Sequence, residues 1–127
     1  MNKAITMSLI AGFALTASPA IAEGDAVKGA KVFKKCMACH DTKPGKSRKQ
    51  GPTLSGIIGR DVASVEGYKY SAPMAAYGEG KTWDIATLDA FLADPKGVAG
   101  RRIKMVFPGL KKESDRANVI AYIETLK

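Results

Sequence analysis

One histidine and two cysteines are the only imidazole and thiol metal donors among the side chains of this 127-residue chain. With His40 alone, a site that needs two imidazoles is excluded. A four-coordinate zinc site on Cys36, Cys39 and His40 would have to borrow a carboxylate. Acidic residues are scarce as well: 12 Asp and Glu stand against 20 Lys and Arg, for a formal net charge of +8. That balance is habitually read as a nucleic-acid footprint, yet the chain carries no nucleic-acid-binding motif. Beyond its first segment it has no apolar run long enough to span a bilayer. Internal repeats, low-complexity linkers and alternating strand patterns are missing too, which leaves one small domain of helices and loops.

The single apolar run lies at the start. Asn2-Lys3 is followed by a mostly apolar stretch from Ala4 to Ala17 and by the small residues of Ala20-Ile21-Ala22. This pattern predicts a secretory signal over residues 1–22, cleaved after Ala22, and a domain over residues 23–127. Thr6, Ser8, Gly12, Thr16, Ser18 and Pro19 make the stretch a poor permanent span. Export to the periplasm argues further against nucleic acid. A basic surface then suits acidic docking faces on protein partners, where complementary charge speeds and orients encounter.

In an exported chain two cysteines first suggest a disulfide. Cys36 and Cys39 would close a very small loop, which restrains little of the unfolded chain. A thioredoxin-like redox pair calls for a preceding strand and an α/β domain, and neither is visible. The remaining reading uses every residue of Cys36-Met37-Ala38-Cys39-His40: two thiols at the spacing of two haem vinyl groups, and an imidazole beside them for the iron. Cys-x-x-Cys-His in an exported protein is the attachment pattern of a covalent haem c.

Elimination narrows the second iron ligand. Both cysteines are used and no second histidine exists, which leaves a methionine, a lysine or an open position. Met1 and Met7 lie in the expected signal, and Met37 sits inside the attachment loop. Met74 and Met105 remain. Met74 is equally readable as a gap-filler in a small core. Met105 lies in Arg101-Arg102-Ile103-Lys104-Met105-Val106-Phe107-Pro108-Gly109, a segment without helical period that ends in Pro-Gly, and is the favoured ligand. A thioether favours ferrous iron and raises the reduction potential. Two axial ligands would leave no open position for oxygen or peroxide.

Three helices are expected. The first covers about residues 25–38, with Ala26, Gly29-Ala30, Phe33 and Met37 on one stripe; a glycine within a helix is costly, and close helix approach would account for Gly29. The second starts near Thr82 as N-cap, buries Ile85, Leu88, Phe91 and Leu92, and stops before Pro95. The third opens at Ser114-Asp115 and runs to the C-terminus. Long loops from His40 to Thr82 and from Asp94 to Lys112 need something to pack on, and a buried haem supplies it. The fold class is all-α, with three main helices and large loops wrapped around one haem.

With these residues in order, the chain resembles class I cytochrome c, in its soluble, mitochondrial-like bacterial branch. The resemblance spans residues 23–127. It rests on Gly29 and Phe33, the Cys36–His40 motif, Gly51-Pro52-x-Leu54-x-Gly56-x-x-Gly59-Arg60, Tyr70, Trp83, Asp94-Pro95-Lys96, Lys104-Met105-x-Phe107 and the helix around Tyr122. It implies His40 and Met105 as axial ligands, with the Pro52 carbonyl accepting the other ring N–H of His40. It implies that Arg60, Tyr70 and Trp83 surround the haem propionates, and that Gly29 and Phe33 pack on the last helix. Two departures stand out. Phe91 occupies a position where the family usually has a tyrosine near the methionine sulfur, and the run Ala99-Gly100-Arg101-Arg102-Ile103 is one residue longer than the common ligand loop.

The resemblance implies a monomeric, non-enzymatic electron carrier with no small-molecule substrate. It would run between a membrane quinol–cytochrome c oxidoreductase and a terminal oxidase, reductase or reaction centre. Lys34, Lys35, Lys43, Lys46, Lys104, Lys111, Lys112, Arg101 and Arg102 are the candidate docking cations. Two rivals remain: a small haem peroxidase or gas-binding protein with a labile sixth ligand, and a dedicated electron acceptor for one periplasmic dehydrogenase.

Overall fold

A computed structural model describes residues 23–127, together with Ala14. The expected signal over residues 1–22 therefore lies, Ala14 apart, outside the described residues. The order is α1 (Ala26–Phe33), α2 (Ala72–Gly78), α3 (Ile85–Ala93), α4 (Pro95–Ala99) and α5 (Glu113–Ile123). Among the described residues the only β pairing is an isolated antiparallel bridge between Asp61 and Thr82. The all-α expectation holds, with five helices among the described residues where three main helices were expected.

The first and last helices form the frame. Asp25 caps α1 by accepting from the backbone N–H groups of Val27 and Lys28, which satisfies donors that a helix start leaves open. The Asn118 side chain of α5 accepts from Asp25 N at 2.8 Å. Where the two helices cross, a Cβ on Gly29 would stand 1.9 Å from the Asn118 carbonyl oxygen and 2.9 Å from Tyr122 Cβ. Gly29 is thus required by backbone-on-backbone packing. One turn on, the fully buried Phe33 ring lies 4.9 Å from that of Tyr122.

Helix α1 ends sooner than its apolar stripe suggests. After Phe33 the chain continues in turns, with Cys36 N and Met37 N both donating to Phe33 O and His40 N donating to Cys36 O. The turns rotate Met37 out to 47% exposure, away from the stripe that it extends on paper. They also carry Cys36, Cys39 and His40 off the end of a rigidly held helix.

Helix α3 starts two residues later than expected, because Asp84 rather than Thr82 is the cap, accepting from Thr87 N at 2.7 Å. Thr82 is spent on the bridge to Asp61. Leu88, Phe91 and Leu92 are buried, whereas Ile85 is 37% exposed on the first turn. The two unexpected helices both begin with a capping side chain followed by proline in the first turn. Ser71 precedes Pro73 in α2, and Asp94 precedes Pro95 in α4. Proline suits a helix start because its missing N–H is not needed there, so Pro95 both stops α3 and opens α4. Gly100, at φ 103°, ends α4 in a backbone conformation that favours glycine. Helix α5 begins at Glu113 without a side-chain cap, and Glu113 and Asp115 place negative charge in its first turn, where the helix dipole favours it.

The long loop after His40 is folded back on the core. Gly59 N donates to Trp83 O, Trp83 N to Arg60 O and Val62 N to Lys81 O, at 2.8–2.9 Å. Arg116 of α5 ties the other loop down, through an ion pair with Asp89 of α3 at 2.8 Å and bonds to the carbonyls of Leu110 and Lys111. Gly29→Ala tests the frame. Alanine is the better helix former by about 1 kcal/mol, yet overpacking against α5 predicts a net loss of about 1–3 kcal/mol. Denaturant unfolding should show the loss, with no comparable change in Lys28→Ala on the exposed side.

Candidate haem site

Cys36, Cys39 and His40 reach a cavity of about 380 Å³. Its other walls include Pro52 and Tyr70 from the long loop, Met74 on α2, Phe91 on α3, and Ile103, Met105 and Phe107 from the segment before Leu110. The lining is largely hydrocarbon, aromatic and thioether. The structure therefore brings six of the eight expected site residues to one cavity: Cys36, Cys39, His40, Pro52, Tyr70 and Met105. Arg60 and Trp83 do not line it.

His40 is seated with unusual constraint. Its Nδ1 lies 2.7 Å from the Pro52 carbonyl; a carbonyl only accepts, so Nδ1 carries the proton and Nε2 keeps its lone pair. Burial lowers the imidazole pKa, outweighing the opposing effect of the Pro52 bond, and holds the ring in its neutral, donor form. Gly51 N donates to Cys39 O at 2.7 Å. A Cβ on Gly51 would stand 2.6 Å from His40 Cε1 and 2.7 Å from Nδ1. The ring is trapped between a glycine that makes room for it and a carbonyl that orients it.

The Cys36 thiol is unlike that of an exchange-active redox pair. Burial pushes the Cys36 thiol up to about 11, whereas exchange-active cysteines have lowered values. Nor does the site gather zinc ligands: among the described residues no group of three or more His, Cys, Asp and Glu side chains converges on a metal position.

Arg60 carries the strongest sign of an absent anionic group. Its Nη1 and Nη2 donate to the carbonyls of Ser55 and Thr53 at 3.2 and 3.0 Å. Its Nε is buried without a partner, which is costly for a charged donor. Burial lowers the Arg60 pKa, with Tyr70 nearby as an opposing influence. The Tyr70 hydroxyl accepts from Val65 N at 3.1 Å. Trp83 is 6% exposed and packs edge-on against Phe91, with ring centres 5.1 Å apart. Two thiols, a neutral imidazole with a free nitrogen, a thioether, an apolar wall and an orphaned guanidinium N–H fit a covalent haem with its propionates.

Sequence reasoning named Met74, Met105 and Lys104 but did not foresee all that the structure gives them, and it overlooked the part played by Gly51. Gly51 was read only as part of a motif, although a glycine before the His-orienting proline is where the ring must fit. Both methionines left by elimination, Met74 and Met105, line the cavity. Lys104 is held by a partner 35 residues away in the chain, the Lys69 carbonyl, and no local pattern announces it.

A family model described as cytochrome c matches residues 26–127. The chain is 47% identical over 120 residues to cytochrome c-554 of Methylosinus trichosporium, covering 94% of this chain and 88% of that one. It is 42% identical over 123 residues to cytochrome c2 of Rhodomicrobium vannielii, covering 97% and 96%. Among solved structures, cytochrome c2 from Rhodospirillum centenum is similar with a TM-score of 0.73 and 37% identity, covering 81% of this chain and 98% of that one.

The seat of His40 generates its own test. Gly51→Ala pushes a methyl group into the ring and breaks the alignment with Pro52, so the protein with its cofactor should lose about 1–3 kcal/mol of stability. Unfolding followed at the main haem absorption band reads the loss. The ferric spectrum of the variant should gain a high-spin component.

Proposed function

The chain belongs to the cytochrome c family and is a mono-haem electron carrier with haem c attached through Cys36 and Cys39; on that premise we propose that it works in the periplasm. There it carries single electrons from a membrane quinol–cytochrome c oxidoreductase to a terminal oxidase, reductase or reaction centre. The apolar run over residues 1–22 supports export, with cleavage after Ala22 and a monomeric domain over residues 23–127. Among the described residues no helix is long and apolar enough to cross a membrane.

The observation that carries the proposal is the pairing of a His40 imidazole, oriented through Pro52, with thioethers in the same cavity. Bound haem supplies an iron that gains and loses one electron. His40 offers Nε2 to it, held in register by its Nδ1 bond. Met105 offers a soft, neutral sulfur from a loop with no helical constraint, whereas Met74 is fixed in the first turn of α2. With His40 and Met105 both holding the iron, the site would be closed to peroxide and gases, as suits a carrier rather than a haem enzyme. Phe91, Ile103 and Phe107 exclude water beside Met105, and Arg60 and Tyr70 stand ready for the propionates, with Trp83 packed behind.

Docking rests on the basic surface. Lys34, Lys35, Lys43, Lys46, Lys112, Arg101 and Arg102 are exposed and make no ion pair or side-chain hydrogen bond among the described residues. Lys104 and Lys111 differ, because each already donates to a backbone carbonyl, of Lys69 and Ala93 respectively. Exposed charges of this kind steer acidic partners at low salt and are screened at high salt.

Two measurements test the reading. The ferric protein should show the weak red band of a methionine–iron bond, absent in Met105→Ala and retained in Met74→Ala. A high-spin ferric haem that readily takes added ligands in the unmodified protein would instead favour the enzyme or sensor reading. Electron transfer to an acidic redox partner should slow steeply as ionic strength rises, and the double variant Lys35→Glu, Lys46→Glu should flatten that dependence. A rate indifferent to salt in the unmodified protein would remove the basic docking face.

A further inference from the structure

The turns that carry Cys36, Cys39 and His40 off the end of α1 leave two of their carbonyls without a backbone partner. Cys36 O is taken by Cys39 N and His40 N, and Cys39 O by Gly51 N. Among the described residues no backbone N–H reaches the carbonyls of Met37 or His40. One side chain serves both. Lys49 Nζ donates to Met37 O and, at 3.3 Å, to His40 O. A lysine set on the open carbonyls that follow a helix satisfies them and matches their partial negative charge.

Lys49 reaches that position from a braced loop. Leu54 N donates to Asp41 O at 2.9 Å, which closes the loop at its base. Inside it the Asp41 carboxylate accepts from Ser47 Oγ at 3.0 Å and from Arg48 N at 2.9 Å, and lies 3.9 Å from Lys49 Nζ. Lys49 N donates to Ser47 Oγ at 3.1 Å, and Thr53 Oγ1 donates to Lys43 O at 2.6 Å. Asp41 thus aims the lysine. The lysine in turn joins the loop that ends in Pro52 to the turn that carries His40, the two sides of the His40–Pro52 bond.

We propose that Lys49 is a positioning residue that clamps the loop of residues 41–52 onto the haem-attachment turn and sets a fixed positive charge beside the ligand, favouring ferrous iron. The inference rests on His40 being an axial ligand. Its neighbours set Lys49 apart. Lys43 and Lys46 lie exposed on the same loop and make no ion pair or side-chain hydrogen bond among the described residues. Lys49 keeps 36% of its side chain exposed, yet directs its donors inward onto the turn. A charge pinned there acts on the iron, because a positive neighbour stabilises the less positive oxidation state. A charge out in solvent is screened.

The test uses the protein with its haem attached. In the ferrous state, NMR reads the solvent exchange of the His40 Nδ1 proton, and so how firmly the bond to Pro52 is kept. Lys49→Gln should speed that exchange about tenfold. At a fixed applied potential it should also move the ferric-to-ferrous ratio about threefold toward ferric. Lys49→Arg keeps the charge and should restore the ratio, with exchange within about threefold of the unmodified rate. Lys46→Gln makes the same charge change on the same loop and should leave both readouts within about 1.5-fold. Asp41→Asn loosens the clamp but removes a negative charge, so exchange should rise while the ratio moves the opposite way, toward ferrous. A loop with a merely structural role would not reverse the sign. An unmodified exchange rate or ratio in Lys49→Gln, or equal changes in Lys46→Gln, overturns the clamp. If Lys49→Gln fails to fold, Asp41→Asn carries the test, and unmoved readouts there overturn it. The ligand assignment has its own check. His40 ring signals displaced by the haem ring current uphold it, and undisplaced signals overturn it whatever the exchange rates.

Discussion

Where α1 crosses α5, Gly29 lets one backbone rest on the other, and Phe33 closes against Tyr122 a turn later. That crossing locates everything downstream of it. The chain leaves α1 in turns bonded back to Phe33, so Cys36, Cys39 and His40 start from a fixed platform. The same α5 holds Arg116, whose bonds to Asp89, Leu110 and Lys111 fix α3 and the far end of the loop that carries Met105. One close helix contact thus sets both sides of the cavity.

Electrostatically the site is quiet at its centre and charged at its margin. Burial keeps His40 neutral and Cys36 protonated before attachment, and the adjoining wall of Met74, Phe91 and Ile103 carries no ionisable group. The half-buried Arg60 lies outside the cavity lining with its buried Nε still unpaired. A redox centre built this way changes charge at the metal with little nearby to reorganise. Unpaired positive charge sits on exposed side chains such as Lys34, Lys43 and Lys46, outside that centre.

Local signals were legible in the sequence and distant ones were not. The cysteine spacing, the adjacent histidine and the capped amphipathic runs announce themselves within a few residues, and the all-α class followed from them. The His40–Pro52 bond, 12 residues apart, was anticipated through resemblance to a family rather than from any local pattern. Helix α4 was missed because Pro95 was weighed as a stop and not also as a start, and α2 because it lies within the stretch from His40 to Thr82 read as loop. Met37 and Ile85 fit an apolar stripe on an ideal helix, but real turns and late caps rotated both outward. The Lys104–Lys69 bond depends on where two loops meet, and no periodicity encodes that.

The cavity has a thermodynamic consequence of its own. Removing the haem would leave a hollow of about 380 Å³. Its largely apolar walls would then be wetted, and a small domain whose whole stability is about 5–15 kcal/mol loses much of its burial that way. Cofactor and polypeptide are therefore a single folding unit, and forming the two thioether bonds is as much the final step of folding as it is a modification. A chain that has not yet met its haem lacks the group on which its long loops pack.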